Sequence, residues 1–311
     1  MDDSRKAALC GLSAVLLWST VASAFKLSLR YLEPAQLLLY SSLVSTLTLS
    51  ALLAARGQLR LLFSYPARTY LQSAAFGFLN PFLYYLVLFK AYDLLPAQEA
   101  QPLNYTWAIA LALLSIPLLK QRLTLMDGAA TVVSYTGVVI ISTRGDLSGL
   151  HFSNPLGVGL ALGSTVIWAL YWIYNTRDRR DPVAGLVLNF LFGLPFVLAY
   201  VLIFSEPGLT DPRGLLGAAY VGVFEMGLTF VLWLSALKLT ASAARIGNLI
   251  FISPFLSLVF IHFLVGEDIL PSTYAGLVLI MGGLLLQQLG AQRRRKRHAR
   301  NQDHLHHRPG Q

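Results

Sequence analysis

Glu225 stands in the middle of the apolar stretch GAAYVGVFEMGLTFVLW (217–233). A carboxyl group set among hydrocarbon can exchange a proton or hold a cation; it can also stay protonated and tie its helix to a neighbour, and both readings remain open. Asn80, in FGFLNPFLYYL (76–86), is a second polar residue in such a setting. In EAQPLNYTW (99–107), Gln101, Asn104 and Tyr105 share one helical face by i, i+3 and i+4 spacing, with Trp107 on the adjoining side. Trp168, Tyr171, Trp172 and Asn175 repeat that spacing further on, and Ser242, Arg245 and Asn248 form one more polar face. Amides, phenols and indoles recognise ligands by hydrogen bonds and ring contacts. No acidic pair lies on one helical face and no nucleophile is spaced with a base, so binding rather than bond-making chemistry is expected, with no catalytic residue.

The elements that must position these groups follow from composition. Of 311 residues, 55% are apolar and 13% charged, with mean hydropathy +0.59, where a soluble domain carries roughly a quarter charged residues. A hydrocarbon core of about 30 Å needs about 20 apolar helical residues. That window predicts an all-α integral membrane protein with ten spans: 7–29, 35–55, 70–90, 97–119, 124–143, 155–175, 183–204, 214–237, 241–265 and 271–290. Counting Lys and Arg by side puts 19 on the side of the N-terminus and five on the other (Lys26, Arg30, Lys90, Arg144 and Arg213). Basic residues favour the cytosol, so both termini are expected there.

Seven of the 24 basic residues behind the formal charge of +9 lie in the last 19 positions, which begin RRRKRHAR. This tail reads as an anchor for anionic lipid, not as a nucleic-acid surface. The tail's His304, His306 and His307 have no Cys partner, and Cys10, the single cysteine, lies in the first apolar run. No metal, cofactor or disulfide is expected. Lys26, Lys90, Lys238 and Arg245 lie near span ends, where they can snorkel to the surface. Glu99 reads as a first-turn residue meeting its helix dipole, and Trp172 and Tyr174 as part of an interfacial aromatic belt. Trp18 and Trp168 lie deeper, and packing and cavity-lining both remain open for them.

Sliding the chain on itself by 145 residues lays 74–143 on 219–288, with Gly77 on Gly222, Gly137 on Gly282 and Asn80 on Glu225. Trp18 likewise matches Trp168. The organisation expected is a short N-terminus (1–6), a first repeat (7–143), a central loop (144–154), a second repeat (155–290) and the basic tail (291–311). Five spans per repeat insert the second upside down relative to the first. Carriers built this way hold substrate near the bilayer midplane, where the repeats meet.

The strings LLWST (16–20), EAQPLNYTW, LLKQRL (118–123), GVVIISTRG (137–145) and SPFLSLVFIHFLVGEDI (253–269), in this order within ten spans, resemble the drug/metabolite transporter superfamily, EamA type. The resemblance extends over 7–290. The Asn-Tyr-x-Trp string with its upstream Glu is similar to a subgroup of aromatic amino-acid and paraquat exporters, where Pro is common at the position of Ala108. It implies a central cavity lined by spans 1, 3, 4, 6, 8 and 9, and hence substrate contacts from Trp18, Asn80, Gln101, Asn104, Tyr105, Trp107, Trp168, Tyr171, Glu225, Arg245 and Asn248, with Glu225 as the proton-coupling candidate. The function expected is export of a small organic metabolite across the bacterial inner membrane. A passive pore is the alternative and an intramembrane enzyme a remoter one. No phosphate-binding loop marks direct use of ATP. Nothing in the sequence sets an oligomeric state, and a monomer is compatible with it.

Overall fold

The computed structural model describes residues 3–120, 125–148, 152–175, 178–208, 211–239 and 248–306. Among them every regular element is helical, as hydrocarbon demands, because a helix satisfies its backbone polar groups within the segment. Among the described residues nine helices are long and apolar enough to cross a bilayer: α1 (Arg5–Ser28), α2 (Pro34–Ala55), α3 (Ala67–Leu94), α4 (Ala97–Leu119), α5 (Leu125–Ser142), α6 (Pro155–Asn175), α7 (Pro182–Phe204), α8 (Arg213–Trp233, its helix continuing to Leu239) and α10 (Pro271–Gly290). α9 (Leu249–Val265) is shorter. The start of the ninth predicted span, 241–247, lies outside the described residues. The chain is a multi-pass membrane protein. The face where α1 begins and α10 ends is called here the terminal side, its opposite the far side.

The helices sort into two lobes that do not follow the order of the chain. α1 and α2 pack with α8 and α9, while α6 and α7 pack with α3 and α4; α5 and α10 pair with each other. Each lobe therefore takes two helices from either half, and the lobes meet along α2 and α7. The inverted repeat is visible in this packing. A Cβ on Gly77 of α3 would collide with the Asn189 carbonyl of α7, and a Cβ on the equivalent Gly222 of α8 would collide with the Ser41 carbonyl of α2. Equivalent glycines thus admit equivalent helices from the opposite half.

At each glycine contact the helix loses its regular pitch. α3 passes through a π-helical turn at Phe78–Leu83, where Asn80 has extended backbone angles (φ −149°, ψ 115°) and the Asn80–Pro81 bond is cis. α8 has a π-helical stretch at Val221–Leu228, centred near Glu225. Such interruptions re-aim side chains and recur at functional sites. α4 is broken too, but not at its proline. The helix runs through Pro102, stops at Tyr105 and restarts at Trp107, with the Thr106 hydroxyl donating to the Leu103 carbonyl at 2.8 Å across the joint.

Candidate functional site

Between the lobes, at the level of the two interruptions, Glu225 of α8 faces inward with 8% of its surface exposed. The Tyr85 hydroxyl of α3 donates to its Oε1 at 3.2 Å. The Trp18 indole is the carboxyl's other polar neighbour, and Oε2 closes no hydrogen bond. Aromatic rings from both lobes surround this point. Trp168 stacks on Tyr84 at 4.5 Å and on Tyr171 at 5.6 Å. Phe230 lies 5.9 Å from Trp168 and 6.2 Å from Trp18, so the two repeat-related tryptophans share one ring across the lobe boundary.

The polar inventory is unusual for a dry core. Asn80 Oδ1, both amide atoms of Gln101, the Tyr171 hydroxyl, Trp172 Nε1 and Glu225 Oε2 are all buried without a hydrogen-bond partner among the described residues. Leaving one such group unmet costs about 1–3 kcal/mol. Asn80, Gln101, Tyr171 and Glu225 are each less than a tenth exposed. Chemically the region offers one carboxylate, several neutral donors and acceptors, and broad π faces. That suits an organic molecule with an aromatic or cationic part.

Of the residues singled out by spacing, Trp18, Asn80, Trp168, Tyr171 and Glu225 come together here. Asn104 adjoins them: its amide donates to the Ser164 hydroxyl at 3.1 Å and lies beside Tyr84. Tyr105 of α4 neighbours Ser253 of α9, whose hydroxyl also meets that of Ser19 at 3.2 Å. Gln101 is buried one turn towards the far side. Trp107 opens the second segment of α4 and packs on the apolar core; no described ring or polar contact joins it to the Glu225 cluster. Arg245 lies outside the described residues, and only the backbone of Asn248 is described, at the head of the 3₁₀ turn Asn248–Ile252.

Three central residues escaped the spacing argument: Tyr84, Tyr85 and Phe230. Tyr84 is four residues after Asn80 and so one helical turn away, a signal hidden because the run around it is apolar. Trp172, expected in an interfacial belt, lines a cavity with Tyr171 and Phe230.

The two sides of the site differ. On the far side the lobes are bound together. Lys26 of α1 donates to the carbonyls of Tyr92 and Leu95 at 2.7 Å each, capping the end of α3. Phe25 packs on Phe89 and Tyr92 just beneath. Glu267, after α9, accepts from the Ala97 and Gln98 N–H groups that begin α4. Gln98 then bonds the Asp268 carbonyl and the Leu270 N–H. Glu99 lies in the first turn of α4, as expected, and also has partners beyond its own helix. Its buried carboxylate accepts from Arg144 Nε at 2.8 Å and from the Ser153 hydroxyl at 2.5 Å, tying α4 to the central loop. Towards the terminal side a cavity of about 240 Å³ opens, with Tyr171, Trp172, Asn189 and Phe230 in its wall and Arg180 at its rim.

Comparison with known proteins matches the chain twice to the EamA-like transporter family, at residues 5–143 and 155–287. An uncharacterized transporter of Bacillus subtilis, YvbV, is 27% identical over 88% of both chains. The aromatic amino acid exporter YddG of Ancylobacter novellus is 27% identical over 92% of this chain and 98% of its own. A solved crystal structure superposes with a TM-score of 0.65 at 23% identity, over 92% of this chain and 98% of that one. At that identity the likeness is one of fold.

Proposed function

Since the chain belongs to the EamA-like transporter family, and is thus a membrane transporter, we propose that it is a secondary carrier exporting a small organic metabolite by alternating access. The substrate class we propose is amino acids and related aromatic or cationic compounds. One observation carries this reading: a carboxylate, Glu225, lies between two lobes in a box of aromatic rings with its Oε2 unpartnered. Aromatic faces hold an apolar ring or a cation, and the carboxylate holds an ammonium or a proton. The name of the Ancylobacter relative, an aromatic amino acid exporter, supports the same class.

The remaining sequence-derived contacts, Gln101, Asn104, Tyr105, Trp107, Arg245 and Asn248, belong to this proposal as lining of the path along α4 and α9. The excess of Lys and Arg on the terminal side supports a plasma-membrane protein with cytosolic termini. In that orientation the cavity beside Trp172 opens towards the cytosol, the loading side of an exporter.

The test is reconstitution. Purified protein in liposomes should move labelled aromatic amino acids or organic cations, and an imposed pH gradient should drive accumulation. A panel of such compounds passing no faster than through protein-free liposomes would refute the proposal.

A further inference from the structure

Arg180 lies in the α6–α7 connection with its side chain only 6% exposed. Its guanidinium donates from Nε and Nη2 to the Asp178 carboxylate at 2.9 and 2.6 Å, from Nη2 to Asn189 Oδ1 at 3.1 Å, and from Nη1 to the Ser73 hydroxyl at 2.5 Å. Of a guanidinium's five N–H groups, one on Nη1 is left without a described partner. A buried ion pair contributes little net stability over an apolar replacement, because desolvation offsets attraction. Stability alone is therefore a weak reason for this one.

The pair stands at the rim of the same cavity that Tyr171 and Trp172 line. The Tyr171 hydroxyl, on a side chain 1% exposed, has the Asn80 and Asn189 amides as polar neighbours but, like Trp172 Nε1, closes no hydrogen bond among the described residues. Tyr171 is close enough to Asp178 and Arg180 for both charges to act on it. Three donors with capacity to spare among the described residues, and one carboxylate, thus line a single cavity, with Phe230 as its apolar wall.

We propose that this cavity is a head-group subsite for a zwitterionic α-amino acid. The substrate carboxylate accepts from the Tyr171 hydroxyl, the Trp172 indole N–H and the remaining Arg180 N–H. Its ammonium lies towards Asp178, and its side chain rests on Phe230. A simple amine leaves the donors unmet, and a simple carboxylate faces Asp178 uncompensated; only a substrate with both charges matches the paired ones. The inference rests on the carrier reading and deepens it, because Glu225 alone favours any cation.

The experiment compares phenylalanine with phenethylamine, which keeps the ring and the amine but lacks the carboxylate, in liposomes containing the full chain. Trp172→Phe removes the indole N–H and keeps an aromatic ring; Tyr171→Phe removes only the hydroxyl. Each should lower the phenylalanine-to-phenethylamine transport ratio about tenfold, as expected where a site loses a hydrogen bond to one of two substrates. Size-exclusion profiles confirm that both variants fold, and either variant suffices if the other does not. An unchanged ratio, whether rates fall together or stay equal, overturns the subsite. Phenethylamine moving while phenylalanine does not also overturns it and leaves the carrier reading intact. If the parent moves neither these nor any compound of the wider panel, both proposals fall.

Discussion

Glu267 caps a helix that is not its own: its carboxylate takes the N–H of Ala97 at 2.7 Å, and that of Gln98 at 3.0 Å, at the head of α4. The first turn of a helix presents unpaired donors and the positive end of its dipole, so an anion there is favoured. Because Glu267 follows α9 and Ala97 begins α4, the cap joins one lobe to the other.

Removing it should loosen the far side. Two charge-assisted hydrogen bonds lie within the range of about 1.5–3 kcal/mol each, so Glu267→Ala should raise far-side access to the site by roughly tenfold or more. A cysteine at Asn104, in a chain lacking Cys10, reports this through its labelling rate by an impermeant thiol reagent added on the far side. Equal rates with and without Glu267 would separate the cap from access.

At the centre, Glu225→Gln keeps the shape and hydrogen-bonding capacity of the side chain and removes its charge and titration. The variant is expected to exchange substrate across liposomes yet fail to accumulate it under a pH gradient. Tyr85→Phe, which deletes only the donor to Oε1, should weaken accumulation less. Undiminished accumulation by Glu225→Gln would make this residue a tie between α8 and α3.

The glycine contacts give a stability prediction with its own control. Gly77→Ala and Gly222→Ala each place a methyl group against a backbone carbonyl of the neighbouring helix, a clash that overpacking studies put at about 1–3 kcal/mol. Both should lower the melting temperature in detergent. Gly128→Ala has open space around it and gains helix propensity, so it should not lower stability.

Topology is tested by single cysteines at Gln58 and Ser148, both exposed in connections. They should label from opposite faces of the membrane, Gln58 from the cytosol. Labelling from the same face would remove an odd number of crossings from the fold.

The all-helical membrane fold and the pairing of Asn80 with Glu225 were legible because both are local: span length follows from bilayer thickness, and polarity at one depth follows from a repeat. The spacing of Trp168 and Tyr171 likewise identified rings that now stack. The exchange of helices between lobes was not legible. Two inverted copies are compatible with packing either within a copy or across copies, and the small residues that decide the matter, Gly77 and Gly222, look alike under both. Tyr85 was missed because a tyrosine in an apolar run carries no mark of its partner, which is 140 residues away in the chain. The position of Glu99 marks it as a first-turn residue, but its partners Arg144 and Ser153 come from the central loop and leave no mark in the local sequence.

The exchanged packing also sets an order of assembly. A ribosome delivers α1 and α2 first, yet the helices they pack with, α8 and α9, emerge late, with only α10 after them. The lobe of α3, α4, α6 and α7 is complete in sequence once α7 has entered the bilayer; the other must be held open across more than half of synthesis. Until then α1 and α2 sit in lipid with their small and polar faces, such as Ser19 and Ser41, lacking their native neighbours. Closing contacts across so long a stretch of chain is slow in folding generally. The newborn chain therefore passes through a stage in which its first two helices are inserted but unclaimed, and only the arrival of the last third fastens them.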